Sequence, residues 1–213
     1  MERSSVAIWV GISALAAILA LGAWLFARAL EGAADTTPAP VRTADPSTAA
    51  PGDFTAYVAP ASECPGIDNL TAALAEQEQT EICLLNYARR AAGLPQLQTN
   101  PLLMQSARLK AADIVRCNQF SHEACGIDVR QPFAQSGYFS ATSQTRFGEN
   151  LAWGGAAAGS PRGALLGWLE SAEHRDNLLR GEWTEQGIAL VEVPDFRGVA
   201  DSRIWVSHFG RHG

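Results

Sequence analysis

Three side chains from separate stretches of the chain have the types that a reactive or ligand-holding cleft needs: His122, Glu149 and His174. Two imidazoles and a carboxylate are the ligand set of an open zinc site, which makes zinc the candidate ion and His122 and His174 its candidate ligands. The same groups could move protons, because histidine titrates near neutrality, and Glu149 is then the candidate catalytic residue. They could equally form a hydrogen-bonded network that stiffens the fold. Glu149 sits in Phe147-Gly148-Glu149-Asn150, which reads as a Gly-flanked turn. His174 falls on a helix that Ser160 can cap and Pro161 can start. That helix carries Leu165, Trp168, Leu169 and Ala172 at the i, i+3, i+4, i+7 spacing of a buried stripe. At about 100° per residue, His174 points away from the stripe, with Glu170 and Ser171 as its neighbours on the helix surface. A hydroxyl beside a histidine is common and no nucleophile elbow is present, so a serine hydrolase is not indicated. His208 shares a strand face with Val206 and reads as a sheet histidine with its hydrogen bonds satisfied.

The elements that must position these groups come next. Apolar periodicity predicts a helix over residues 70–92, closed by Gly93 before Leu94-Pro95. Asn100-Pro101 signals a second helix to about residue 116, with Leu103, Ala107, Ala111 and Ile114 as its core face. A short helix over residues 129–136 stops at Gly137. Residues 186–193 and 203–209 read as strands. Helices come first and strands last, so an α+β domain with a small antiparallel sheet is expected.

Four cysteines constrain the compartment. Cys117 and Cys125 bracket the loop holding His122, while Cys64 and Cys83 lie before and within the first helix. The economical pairing is Cys64–Cys83 with Cys117–Cys125, one of three possible connectivities. Persistent disulfides need an oxidising compartment, outside the cytoplasm. A cysteine metal site is disfavoured, since there is no C-x-x-C and no close pair of histidines.

The N-terminal region agrees. Residues 6–27 carry no charge and are long enough to cross a hydrocarbon core of about 30 Å, with Trp9 and Trp24 near the ends. An uncleaved transmembrane anchor within residues 1–30 is expected. A cleaved signal peptide, with Ala27-Arg28-Ala29 as its cleavage site, is the alternative. Residues 31–62 are rich in Pro, Ala and Thr and read as a flexible linker, with Phe54 and Tyr57 placed to dock on the C-terminal domain. Residues 63–213 form that one domain. The chain has 22 acidic against 16 basic residues and a net charge of −6, which argues against a nucleic-acid partner.

The ordered landmarks of residues 81–210 resemble the CAP superfamily (cysteine-rich secretory, antigen 5 and pathogenesis-related 1 proteins; the SCP domain) in its bacterial branch. They are Leu85-Asn86-Tyr87-Ala88-Arg89 with Gly93-Leu94-Pro95, Phe120-Ser121-His122, Gly148-Glu149-Asn150-Leu151-Ala152, Trp168 followed by His174-Arg175-Asp176-Asn177, and Trp205-Val206-Ser207-His208-Phe209-Gly210. The resemblance implies an α-β-α sandwich with a central cleft of two histidines and two acids. His122, Glu149 and His174 match three of these. Eukaryotic relatives carry the fourth acid three residues after the helix tryptophan, where this chain has Ser171, and Glu170 is only its neighbour. His208 stands where relatives often have glutamine. The resemblance favours an extracytoplasmic binding module, since many relatives bind sterols or other lipids and few have an established reaction. The expected function is therefore an extracytoplasmic module whose cleft binds a lipid, glycan or peptide. A metal-dependent hydrolase of envelope material and a non-catalytic structural domain are the alternatives.

Overall fold

The computed structural model describes residues 53–139 and 144–212. The apolar run of residues 6–27 and the linker up to residue 52 lie outside these residues. Among the described residues no helix is long and apolar enough to cross a membrane. Packed chain is already present at Phe54 and Ala59, which are buried in the main core, and Tyr57 rests against them.

Five α-helices and four strands are found among the described residues. Helix α1, Leu74–Ala91, ends at Gly93, whose φ of +74° suits only a residue without a Cβ. Strand β1, Gln98–Thr99, leads into helix α2, Pro101–Cys117. The Asn100 side chain accepts a hydrogen bond from the Leu102 N–H and caps α2, and Pro101 occupies its first turn. Leu103, Ala107, Ala111 and Ile114 are all buried, as their spacing predicts. Helix α3, Arg130–Gln135, precedes Gly137. Strand β2, Thr145–Gly154, helices α4, Pro161–Glu170, and α5, Ala172–Leu178, and strands β3, Glu185–Phe196, and β4, Val199–His212, complete the chain.

The sheet order is β1-β3-β4-β2. The pairs β3–β4 and β2–β4 are antiparallel, but β1 runs parallel to β3. The expectation of a purely antiparallel sheet with all strands at the end is therefore corrected on two counts. Two residues of β1 add a parallel edge, and β2 lies mid-chain. Strand β2 escapes the pattern because its buried centre is polar: Glu149 and Asn150 break the alternation that marks a strand. Glu149 is thus a strand residue and not the turn residue its flanking glycine suggests.

Helix α2 covers one sheet face over Ala189, Leu151, Ile204 and Val206. Helices α1, α4 and α5 cover the other, over Ile188, Leu190, Trp205 and Phe209. This is an α-β-α sandwich with a core on each side of the sheet. Gly187 makes the close packing of α2 possible, since a Cβ there would lie 2.2 Å from the Leu103 carbonyl carbon.

The helix expected to run from Pro161 through His174 is broken. Ser171 has extended dihedrals (φ −84°, ψ 119°) and separates α4 from α5. Leu165, Trp168 and Leu169 are buried as expected, but Ala172 is exposed because the chain has already turned. The Arg175 guanidinium donates to the Leu169 carbonyl at 2.7 Å and satisfies a C-terminal acceptor of α4 across the break.

Both disulfides form in the expected pairing. Cys64–Cys83 pins the segment before α1 to that helix, and Cys117–Cys125 closes the loop after α2.

Candidate functional site

The centre of the site is the Glu149 carboxylate, whose side chain is 2% exposed. Its position follows from strand register. Glu149 on β2 lies opposite His208 on β4, and both point into the α2 side of the sheet. His208 is fully buried and its Nε2 lies 2.8 Å from Glu149 Oε2. Its ring stacks on Phe133 at 4.1 Å between centroids. The other ring nitrogen, Nδ1, lies 2.6 Å from the Ser106 hydroxyl on α2. Burial lowers the His208 pKa, despite the raising influence of Glu149, and so favours the neutral ring. A neutral ring that donates from Nε2 to Glu149 leaves Nδ1 as an acceptor facing the Ser106 hydroxyl, which also lies 2.9 Å from the Leu103 carbonyl.

His122 approaches from the loop that Cys117–Cys125 closes. Its Nδ1 lies 2.6 Å from the other carboxylate oxygen, Oε1. Its side chain remains 53% exposed, so the outer edge of the ring meets solvent. Lys110 on α2 donates to the His122 carbonyl and places its ammonium 3.9 Å from Glu149 Oε1. Burial lowers the Lys110 pKa, with the carboxylates of Glu149, Asp113 and Glu123 opposing it. Burial also pushes Glu149 up. The hydrogen bonds from His122 and His208, with the nearby charges, outweigh this and hold the carboxyl below its ordinary range. One buried carboxylate is thus held by two imidazoles and an ammonium.

His174 lies on the opposite side of β2. Asn150 carries the connection: its side-chain amide donates to the His174 carbonyl at 2.9 Å and accepts from Asn177 at 2.9 Å. Asn177 also donates to the Glu149 carbonyl at 3.2 Å, and its own carbonyl accepts from Trp183 Nε1. The Glu-Asn and His-Arg-Asp-Asn segments therefore lock α5 onto β2. Gly148 permits the approach, because a Cβ there would meet Asn177 Oδ1 at 2.7 Å and Trp183 at 2.9 Å. Burial lowers the His174 pKa, with a further lowering from the field of His122 and an opposing one from Glu173.

His174 lines a cavity of about 420 Å³ with Phe120, Leu151, Trp153, Leu166 and Gly167. Glu170 and Ser171 line it too, next to each other in the chain because α4 ends there. The lining is mostly apolar, with Glu170, Ser171 and His174 as its polar members. A larger cavity of about 660 Å³ lies elsewhere, lined by Leu70, Glu192 and Arg203, and contains no histidine.

His122 and Glu149 are in direct contact, His208 proves to be the second imidazole on the carboxylate, and His174 makes no hydrogen bond to either and lines the cavity at β2 instead. Lys110 and Ser106 were not anticipated as site residues. One signal was available for Lys110: it lies three residues after Ala107 and one before Ala111, within a core face. The zinc reading needed Glu149 as a third ligand. Its two oxygens are taken by His122 and His208. Among the described residues no group of three His, Cys, Asp or Glu side chains is arranged to hold an ion. The residues do not fit the expected ligand set.

Comparison with known proteins bears on this geometry. Residues 83–209 match the family model described as the cysteine-rich secretory protein family, CAP. An uncharacterised protein of Bacillus subtilis, YkwD, is 27% identical over 183 residues, which is 86% of this chain and 58% of that protein. The chain thus spans under two-thirds of its relative. An extracellular protein containing an SCP domain from Bacillus anthracis superposes with a TM-score of 0.51 at 28% identity, over 63% of this chain and 40% of that one. An outer surface protein of Borrelia burgdorferi superposes with a TM-score of 0.54 at 17% identity, over 67% and 97% of the two chains, and shares the fold.

Proposed function

The chain belongs to the cysteine-rich secretory protein (CAP) family, and from that membership we propose that its domain is an extracytoplasmic binding module for an amphiphilic ligand. The observation that carries the proposal is the cavity of Phe120, Leu151, Trp153 and Leu166, whose lining also includes Glu170, Ser171 and His174. Such a site buries an apolar tail and leaves hydrogen-bonding groups for a polar head. Of the lipid, glycan and peptide classes, this favours a lipid, whose single chain needs no polar partners along its length. His122 is oriented by Glu149 and presents its outer nitrogen. The Glu149–His208–Lys110 cluster supports the cleft from beneath and does not touch the ligand.

The two disulfides support a location outside the cytoplasm. The uncharged run of residues 6–27 is the proposed membrane anchor and residues 31–52 its tether. Fractionation tests this part: the intact chain stays with membranes, and release of a shortened chain into the medium would favour signal cleavage.

Isothermal titration with a monoacyl phospholipid, a chitotetraose and an alanine tetrapeptide tests the ligand class. Gly167 lines the cavity from α4 and is exposed, and a Cβ there meets no atom within 4 Å, so Gly167→Phe adds a bulky ring at the cavity rim without a backbone clash. The proposal expects saturable binding of the lipid that Gly167→Phe weakens at least tenfold. Lipid binding unaffected by that substitution, or binding only of the saccharide or peptide, would contradict it. Turnover of an envelope substrate lost in Glu149→Gln would favour the hydrolase instead, with His122 as the proton carrier.

A further inference from the structure

We infer that the cavity lined by Glu170 and His174 selects an amphiphile whose head presents an ammonium over one whose head is an anion. The ligand reading of that cavity, on which this rests, leaves the charge of the head open.

The charge of the lining is one-sided. Glu170 is its only acid, and among the described residues no Lys or Arg lines it. Ser171 is uncharged, and burial with the field of His122 favours the neutral ring at His174. Glu170 is exposed, and its carboxylate makes no hydrogen bond or ion pair among the described residues. Arg175, the nearest cation along the chain, is committed elsewhere. Its guanidinium donates to the Leu169 carbonyl at 2.7 Å and stands 5.3 Å from the centre of the Phe54 ring.

The place of Glu170 in the fold sharpens the preference. It is the last residue of α4, and the carbonyl end of a helix disfavours an acid and favours a cation. Glu173, in the first turn of α5, acts in the same direction, since its field reaches His174. Two carboxylates therefore act on this part of the cavity, with no cation on the lining to offset them. Phe120 and Trp153, whose ring centroids lie 6.1 Å apart, add aromatic rings, the apolar groups that attract an ammonium. An anionic head would meet repulsion and no cationic donor. An ammonium head meets a carboxylate that lacks a partner, while the apolar members of the lining take its chain.

Calorimetry on the purified full-length chain tests this with octyltrimethylammonium, octanoate and octanol, all as monomers. The three share one chain length and differ in the charge of the head. The cation is expected to bind at least about fivefold more tightly than octanoate, with the alcohol between them. Glu170→Gln should bring the three affinities together, and Glu170→Lys should reverse their order. Glu170 has no partner to lose, so both variants fold. Asp201→Asn removes one negative charge at the other cavity, where Asn suits the φ of +48°. That variant should keep the native order, which separates Glu170 from the net charge of −6. Equal affinities in the native chain, tighter binding of octanoate, an order indifferent to Glu170→Gln, or an order lost as fully in Asp201→Asn would overturn the inference and leave the cavity as an amphiphile site. Binding of none of the three would overturn the ligand reading of the cavity and the inference with it.

Discussion

Glu149 and His208 stand directly opposite each other on adjacent antiparallel strands, and the Glu149 Oε2 lies 2.8 Å from His208 Nε2. Neither side chain is more than 2% exposed. Strand register alone brings this pair together, and the remaining members of the cluster are added from α2 and its following loop. The pair supplies the most direct expectations about stability.

Glu149→Ala removes the anion that Lys110, His122 and His208 share. Breaking a buried ion pair from one side costs about 3–5 kcal/mol, because the remaining charge stays buried without a partner. Urea unfolding at pH 7 is expected to show a loss of that size. Glu149→Gln keeps the shape and a single acceptor and should lose less.

Within the site, His208, His174 and Glu149 each make the fold less stable in acid, whereas the buried Glu81, whose pKa burial raises, acts with the opposite sign. The His208 pKa is lowered by burial, so the unfolded chain takes up the proton first. Its contribution is intact above the unfolded value near 6.5 and declines as pH falls through it, at up to about 1.4 kcal/mol per pH unit. The depressed Glu149 carboxyl adds a loss at lower pH, below the ordinary glutamate value near 4.5. Urea midpoints from pH 7.5 to 5.5 are expected to fall, and His208→Gln should flatten the part of the slope above pH 5. An unchanged slope would mean that His208 is already charged in the fold.

Much of this arrangement is legible in the sequence, and the exceptions have physical causes. The caps at Asn100 and Ser160, the stop at Gly93 and both cysteine pairs are local signals and are read correctly. The break at Ser171 is not, because residues 161–178 keep helix-forming composition on both sides of it. The Arg175 bond back to Leu169, which spans the break, carries no signature in the sequence. His208 reads as a structural sheet histidine, and it is one. What the spacing could not show is that its partner would be Glu149, since that contact depends on the register of β2, a strand whose polar centre conceals it.

The glycine before Glu149 carries its own expectation. Gly148→Ala would push a methyl into Asn177 and Trp183 and pry α5 from β2. Overpacking of this kind costs about 1–3 kcal/mol. The same substitution should increase amide hydrogen exchange in α5 more than in α2.

The loop bearing His122 depends on Cys117–Cys125. Labelling of the native chain should find no free thiol, since all four cysteines are paired. Replacing both Cys117 and Cys125 by Ser is expected to cost roughly 2–4 kcal/mol and to loosen His122 from Glu149. The readout is the His122 imidazole signal by NMR, which should shift toward that of a free histidine.

The central claim is that the apolar cavity beside His174 receives the ligand. The most direct measurement is paramagnetic broadening of the full chain's NMR signals by a monoacyl phospholipid carrying a nitroxide on its chain. The account predicts broadening focused on Leu151, Trp153, Leu166 and His174, removed by Gly167→Phe. Broadening centred on another surface, or unchanged in that variant, would contradict it.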